Sequence, residues 1–183
     1  MKLFDNLLGQ LKEEKLQIPF IHAANSAALF KFPASHYSLV RPGLALYGLS
    51  PFARAREKYG LKPALALKTK IVFLKKMKAG KAVSYGQTFV TKKDSYIATL
   101  PIGYADGLAR GLSNRGEVLV HGRRAPIVGR VTMDLTMIDV SAIPKVEIGD
   151  EVVLIGSQSG QVITAEEMAE RLFTINYEIV CGL

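Results

Sequence analysis

The strongest constraint on the fold is a change of rhythm after the loop "GLSPFARAREKYGLKP". Beyond it the chain offers strand-length stretches near 65–76, 82–85, 95–101, 117–121, 126–132, 135–140 and 151–156. Turn signals at Lys78-Ala79-Gly80, His121-Gly122 and Gly149-Asp150 separate them. Strands this closely spaced leave little room for crossover helices, so neighbours should run antiparallel and curl into a barrel or sandwich. In "LKTKIVFLKKMKAGK" the alternation puts Leu67, Thr69, Ile71 and Phe73 on one face and Lys68 and Lys70 on the other, as a half-solvated strand requires. One late helix is expected at "TAEEMAERLF", where Thr164 and Glu167 have the spacing of a capping box.

Ahead of the loop the rhythm is different. Phe4, Leu7, Leu8 and Leu11 fall on one helical face, and "QIPFIH" at 17–22 has the length of a strand. "AANSAALFKF" reads as a helix with Asn25 or Ser26 in a position to cap it, and "HYSLVRPG" as a second strand ended by Pro42 and Gly43. Alternating helices and strands point to parallel α/β structure, yet a parallel sheet of two strands is too small to bury both faces. A (β/α)8 barrel needs roughly 250 residues, so these units read as the closing fifth or quarter of one. The expected fold is mostly β: a C-terminal antiparallel β-barrel-like domain over 51–183, preceded by an N-terminal α/β remnant of a (β/α)8 barrel over 1–50.

The formal net charge is +8, from 24 Lys+Arg against 16 Asp+Glu, which permits an anionic partner. There is no run of 18 uncharged apolar residues, and "MKLFDNLLGQLKEEK" lacks the apolar core of a signal peptide, so neither a membrane span nor export is expected and the chain is placed in the cytoplasm. Cys181 is the single cysteine, which excludes an internal disulfide; it is expected as a small buried apolar residue. His22, His36 and His121 share no metal-ligand spacing, so no metal site is assigned.

Three clusters stand out chemically. Asn25-Ser26 and Arg41-Pro42-Gly43-Leu44 would lie at the C-terminal ends of the last two barrel strands, where loops and helix N-termini hold phosphate. A helix cap and a simple turn explain the same residues. Ser84-Tyr85-Gly86 and Gly103-Tyr104-Ala105-Asp106-Gly107 set tyrosine beside glycine, which lets a ligand or another backbone come close. Ordinary sheet tyrosines are the alternative, and Asp106 reads as a turn or cap residue. In "GRVTMDLTMIDV", Met133 and Asp134 interrupt a β-branched pattern, with methionine most often core filler.

Taken together, "HAANSAA", "VRPGLALYGL", "VSYGQTF", "PIGYADG", "APIVGRVTMD" and "TINYE" resemble the bacterial alanine racemases, which depend on pyridoxal 5'-phosphate. The motifs keep the family's order from residue 22 to 178. The resemblance implies a (β/α)8 barrel followed by a mostly β domain, and interconversion of L- and D-alanine by two bases on opposite faces of the substrate Cα. It implies that Ser26 and the backbone at Gly43 and Leu44 hold the cofactor phosphate with help from Tyr177. Arg41 matches the arginine facing the pyridine nitrogen; a guanidinium only donates, which leaves that nitrogen unprotonated and weakens the electron sink. Tyr85 matches the second base, Tyr104 a second tyrosine at the entrance, and Met133 a substrate-site residue. Tyr85 and Met133 are implied to reach into the site of a partner subunit, so a homodimer with shared sites is expected.

The other base of the family is the lysine that holds the cofactor covalently, in a motif of the type K-A-(N/D)-A-Y-G, and no segment here fits it. "KAVSYG" at 81–86 belongs to the tyrosine motif, and Lys81 is expected as a surface turn residue. With the lysine missing and the end at "VCGL" short of the expected basic, aromatic tail, the chain is expected to be the C-terminal part of such an enzyme and inactive alone. A different reading is a basic β-barrel module that binds RNA through lysines 68, 70, 75, 76, 78 and 81 near Phe73 and Tyr85, although no aromatic RNA-binding motif accompanies them. A non-catalytic dimerisation fragment is the third.

Overall fold

A computed structural model describes residues 1–52 and 57–183; part of the expected loop at 48–63 therefore lies outside the described residues. Two compact units emerge, Met1–Ala64 and Leu65–Leu183. The expected boundary at 50/51 thus differs from the observed division, because the end of the loop returns to the first unit. There Ala64 N–H donates to the Tyr47 carbonyl at 3.0 Å, and the Phe30 and Tyr59 rings stack at 4.4 Å.

In the first unit, α1 (Lys2–Glu13) half-buries Phe4, Leu8 and Leu11 but leaves Leu7 exposed. The Tyr37 hydroxyl donates to Asp5 at 2.6 Å, a bond that pushes the phenol up to about 12. Helix α2 (Ser26–Lys31) is capped by Asn25, whose Oδ1 accepts from Ala27 and Ala28 N–H at 3.1 and 3.0 Å, and not by Ser26. Helix α3 is the single turn Gly43–Leu46. The stretches expected as strands at 17–22 and 36–43 form no ladder; Tyr37 and Ser38 lie in a turn, with Tyr37 at φ +47°, and Gly43 already begins a helix. The two stretches meet at a parallel bridge between Asn25 and Arg41, beside Arg41 N–H to Ala24 O at 2.9 Å and Ser38 N–H to Ile21 O at 3.1 Å. A parallel pair without neighbours cannot bury its side chains, and Phe20 is accordingly 67% exposed.

The second unit is built of strands with short 3-10 turns between some of them and two helices near its end. Its strands are β1 (Leu67–Lys70), β2 (Phe73–Met77), β3 (Ala82–Val83), β4 (Phe89–Val90), β5 (Ser95–Leu100), β6 (Glu117–Val120), β7 (Arg123–Pro126), β8 (Thr136–Asp139), β9 (Glu151–Gln158) and β10 (Gln161–Ile163). All ladder pairings are antiparallel. One sheet has the order β1-β9-β6-β7 with β10 on β9; another runs β2-β5-β8; β3 and β4 form a hairpin. The two larger sheets join at both edges. Ile71 N–H donates to Asp150 O and Val72 N–H to Thr99 O, so the chain passes straight from β1 into β2. At the other edge Ile127 bridges Ile138, which links the end of β7 to β8. The circuit closes into the expected barrel-like domain around Leu100, Val118, Val120, Ile138, Val152 and Leu154, each 0% exposed, while Leu119 and Val153 point to the other face and pack with Ile163.

The crossing at Ile71–Val72 also corrects the expected face of β1. Ile71 is buried like Leu67 and Thr69 are in part, but Phe73 is 54% exposed, because a strand that changes sheets resets its alternation. The strand expected at 126–132 is instead β7, ending at Pro126; Gly129 at φ +76° bends the chain out of the ladder. Strand β10 was not expected; Ser159 and Gly160, at φ +48° and +82°, turn β9 back on itself.

Thr164 caps α4 (Ala165–Leu172) by accepting from Glu167 N–H at 3.1 Å. The Glu167 carboxylate does not close the box. It binds Arg124 of β7 and Arg171 of its own helix, while Glu117 of β6 binds the same two arginines, in a four-membered ring of ion pairs. Helix α5 (Asn176–Cys181) turns Ile179 and Val180 inward. Cys181 is exposed rather than buried, on the outward side of the same turn.

Hydrogen bonding from Arg124, reinforced by Arg171, holds the Glu167 carboxyl below its ordinary range against a desolvation that raises it. A depressed carboxylate contributes stability that is complete above its unfolded value, about 4.3, and is lost as pH falls through the lower folded value. The thermal midpoint, followed by circular dichroism, should therefore fall as pH drops below about 4. Glu167→Gln should flatten that decline; an equally steep decline in the variant would refute the assignment.

Candidate functional site

In the first unit the phosphate-type residues do come together. Ser26, only 4% exposed, opens α2, and its Oγ accepts from Ala45 N–H at 3.3 Å. That bond leaves the hydroxyl proton available. The bridge between Asn25 and Arg41 sets the starts of α2 and α3 side by side, so Gly43 and Leu44 share one corner with Ser26; Gly43 N–H donates to Arg41 O at 3.1 Å, and Leu44 N–H, at the start of a helix, has no intrahelical carbonyl four residues back. A Cβ built on Gly43 meets nothing within 4 Å: the space over this backbone is open. The Ser26 hydroxyl together with the Leu44 amide fits a phosphate oxygen. Arg41 is exposed, and its Nη1 lies 2.6 Å from His22 Nδ1. Arginine can only donate, so His22 Nδ1 accepts there and holds the guanidinium in place. His22 was read in the sequence only as a residue without metal partners; its position in "HAANSAA" was the available signal.

In the second unit three loops carry the remaining candidates. Tyr85 opens a 3-10 turn, Tyr85–Gln87, and is 75% exposed. Ser84, which leads into the turn, and Gly86 and Gln87 within it stand at φ +64°, +69° and +51°, and non-glycine residues in that region are costly. It is held from outside: Ser84 Oγ donates to Arg130 O at 2.7 Å, and a Cβ on Gly86 would meet the Arg130 guanidinium at 3.2 Å. Sequence reasoning missed Arg130; a cation directly after a glycine in "VGRVTMD" was the signal. Tyr104 lies in a second 3-10 turn, Tyr104–Asp106, and Gly103 N–H donates to Asp106 Oδ2 at 2.9 Å, so Asp106 is the turn residue expected. Tyr104 N–H donates to Thr132 O and Ala105 N–H to Met133 O, both at 3.0 Å, which ties this turn to the loop that bears Met133. Tyr104 and Met133 are 44% and 54% exposed. Met133 is not core filler. Tyr177 stands on α5 of the same unit, 38% exposed. Lys81 is an exposed residue at the start of the β3–β4 hairpin, as expected.

Nothing in this arrangement favours RNA. Lys68 pairs with Glu151 and Lys78 with Asp94, each at 3.0 Å, which removes two of the six lysines on which that reading rested. No helix among the described residues is long and apolar enough to cross a membrane.

Comparison with known proteins agrees. Residues 64–183 match the model of the alanine racemase C-terminal domain, and residues 1–51 that of the N-terminal domain. An alanine racemase of Halothermothrix orenii is 53% identical over 180 residues, 98% of this chain and 48% of that protein. One of Methanococcus maripaludis is 48% identical over 97% of this chain and 48% of its own length. Among solved structures, alanine racemase from Bacillus anthracis with bound L-Ala-P superposes with a TM-score of 0.88 at 46% identity, over 98% of this chain and 46% of that one. The Clostridium difficile 630 enzyme in complex with cycloserine gives 0.87 at 37% identity, over 98% of this chain and 47% of that one. The chain spans about half the length of these relatives.

Proposed function

The chain belongs to the alanine racemase family, and we propose that it supplies the cofactor-phosphate corner and the second base of an enzyme that interconverts L- and D-alanine in the cytoplasm. The observation that carries this reading is Tyr85. It stands 75% exposed at a strained turn, presented outward rather than packed into the sheet. Pyridoxal 5'-phosphate, when bound, would supply the electron sink that makes the substrate Cα–H acidic. Ser26 would donate its hydroxyl to the phosphate beside Gly43 and the amide of Leu44, and Tyr177 matches the family's further phosphate donor. Arg41 would face the pyridine nitrogen, steadied by His22.

Tyr85 would take the Cα proton on one face of the substrate and return it. Met133 would line the substrate site, and Tyr104, tied to the Met133 loop, would border the approach. All three side chains project from their own unit, which fits a homodimer in which each subunit completes the partner's site. The base for the opposite face is the lysine that anchors the cofactor; this chain has no K-A-(N/D)-A-Y-G motif, so that residue must come from a barrel segment outside these residues.

Two measurements test the proposal. The chain by itself should show no racemisation above background, and added cofactor should give no visible absorbance band that borohydride fixes to one lysine. Co-expression with the barrel half of the Halothermothrix orenii relative should yield activity that Ser26→Ala weakens mainly in cofactor affinity, by on the order of tenfold for one charge-assisted bond. A specific lysine adduct in the lone chain, or Ser26→Ala without any effect on cofactor affinity, would refute it.

A further inference from the structure

One side chain outside the three site loops binds two of them. Asn114 lies between the 3-10 turn Arg110–Leu112 and β6, with φ +56°, a conformation asparagine tolerates better than most residues. Both ends of its amide are used. Oδ1 accepts from Gly129 N–H at 2.6 Å, and Nδ2 donates to Thr88 Oγ1 at 3.1 Å. Next to it, Ser113 Oγ accepts from Val131 N–H at 3.0 Å. Alternate amides of the 129–131 stretch are thus satisfied by consecutive side chains, in the place of a strand partner.

The two neighbours differ in what they connect. Ser113 Oγ donates to Arg110 O, inside its own turn. Asn114 instead reaches Thr88, the residue that closes the Tyr85 turn. At its other end that turn is tied by Ser84 to Arg130 O. The strained residues between, Ser84, Gly86 and Gln87, are therefore fastened at both ends to the loop that leads to Met133. Releasing one end would let left-handed residues, each costing roughly 1–2 kcal/mol outside glycine, relax.

We infer that Asn114 is a positioning residue for Tyr85: its amide links the turn that presents the phenol to the loop that carries Met133. The inference rests on Tyr85 being the second base. The link needs a group that accepts from an N–H and bonds a hydroxyl at once. Leucine at 114 supplies neither. Aspartate keeps the acceptor for Gly129, and the Thr88 hydroxyl can rotate to donate to it, so Asn114→Asp is the conservative variant.

The test uses Asn114→Leu, Asn114→Asp, Thr88→Val and Ser113→Ala, with two readouts. In the complete racemase carrying this sequence, Cα hydrogen exchange with solvent is followed from L- and from D-alanine. In the present chain, carbon-13 NMR of the tyrosine rings follows the Tyr85 resonance, identified by its loss in Tyr85→Phe. Misplacing a reacting group by about 1 Å costs up to about 10²-fold. Asn114→Leu and Thr88→Val should slow L-alanine exchange about tenfold or more while exchange from D-alanine and KM stay close to wild type. They should also shift the Tyr85 resonance towards that of a mobile ring; Asn114→Asp should restore both, and Ser113→Ala should keep the wild-type ratio. An unmoved Tyr85 resonance with an unchanged ratio in Thr88→Val overturns the inference, as does Ser113→Ala matching Thr88→Val. If Tyr85→Phe itself leaves exchange intact, the base assignment fails, and the NMR result alone decides whether Asn114 holds the turn.

Discussion

Tyr85→Phe, in the complete racemase, is expected to lower exchange of the Cα hydrogen of L-alanine by on the order of 10² to 10⁴, the usual cost of losing a positioned general base. The substitution keeps the ring and removes only the hydroxyl. Because Tyr85 is 75% exposed and its hydroxyl makes no hydrogen bond within the described residues, the barrel loses almost no packing, and thermal stability should stay near wild type. The loss should be one-sided: by analogy with the family the tyrosine serves L-alanine and the lysine D-alanine, so exchange from D-alanine persists in part. A structural tyrosine behaves otherwise. Racemisation within a few-fold of wild type, or equal slowing of both exchanges with a lowered melting temperature, would remove Tyr85 from the chemistry.

The barrel was legible because its turns are written in residues that leave few conformations, as at Gly80, Gly122 and Gly149, all at positive φ. Errors arose where an apolar run hides a bend. "APIVGRV" has strand composition, yet the amides of Gly129 and Val131 are bound by the side chains of Asn114 and Ser113, contacts that no local pattern encodes. Phe73 was misplaced because alternation says nothing about a strand that changes sheets. In the first unit the helices were legible from spacing and capping, while the apolar stretches around Ile18 and Phe20 have the composition of strands without the neighbours that would make them so. The site divides in the same way. Tyr85, Tyr104, Met133, Ser26 and Arg41 sit in recognisable motifs, whereas Arg130, His22 and Asn114 act through contacts made only once the loops are folded.

Gly103→Ala is expected to destabilise the second unit strongly. A Cβ at this position would stand 2.2 Å from Met133 O and 2.3 Å from Thr132 O. Both are backbone atoms, so no side chain can swing aside to relieve the clash. The φ of Gly103 is −147°, an ordinary extended value, and the requirement for glycine is therefore purely one of space. To admit the methyl, the 103–105 segment must draw away from 132–133, which breaks the bonds from Tyr104 N–H and Ala105 N–H to those same carbonyls. Overpacking of this kind costs about 1–3 kcal/mol, and each lost hydrogen bond adds about 1 kcal/mol. In a domain of this size about 1 kcal/mol moves the melting temperature by roughly 3–5 °C, so the midpoint should fall by on the order of 10 °C or more. The strain reaches the site because the carbonyl displaced belongs to Met133 itself. In the complete enzyme KM for alanine should rise while Tyr85 still exchanges the Cα hydrogen of L-alanine, since its own anchors, Ser84 to Arg130 and Thr88 to Asn114, do not involve the carbonyls of Thr132 and Met133. A melting temperature within about 2 °C of wild type, well under the shift that 1 kcal/mol produces, would show that the loops separate without cost and that Tyr104 and Met133 are not held together by their backbones.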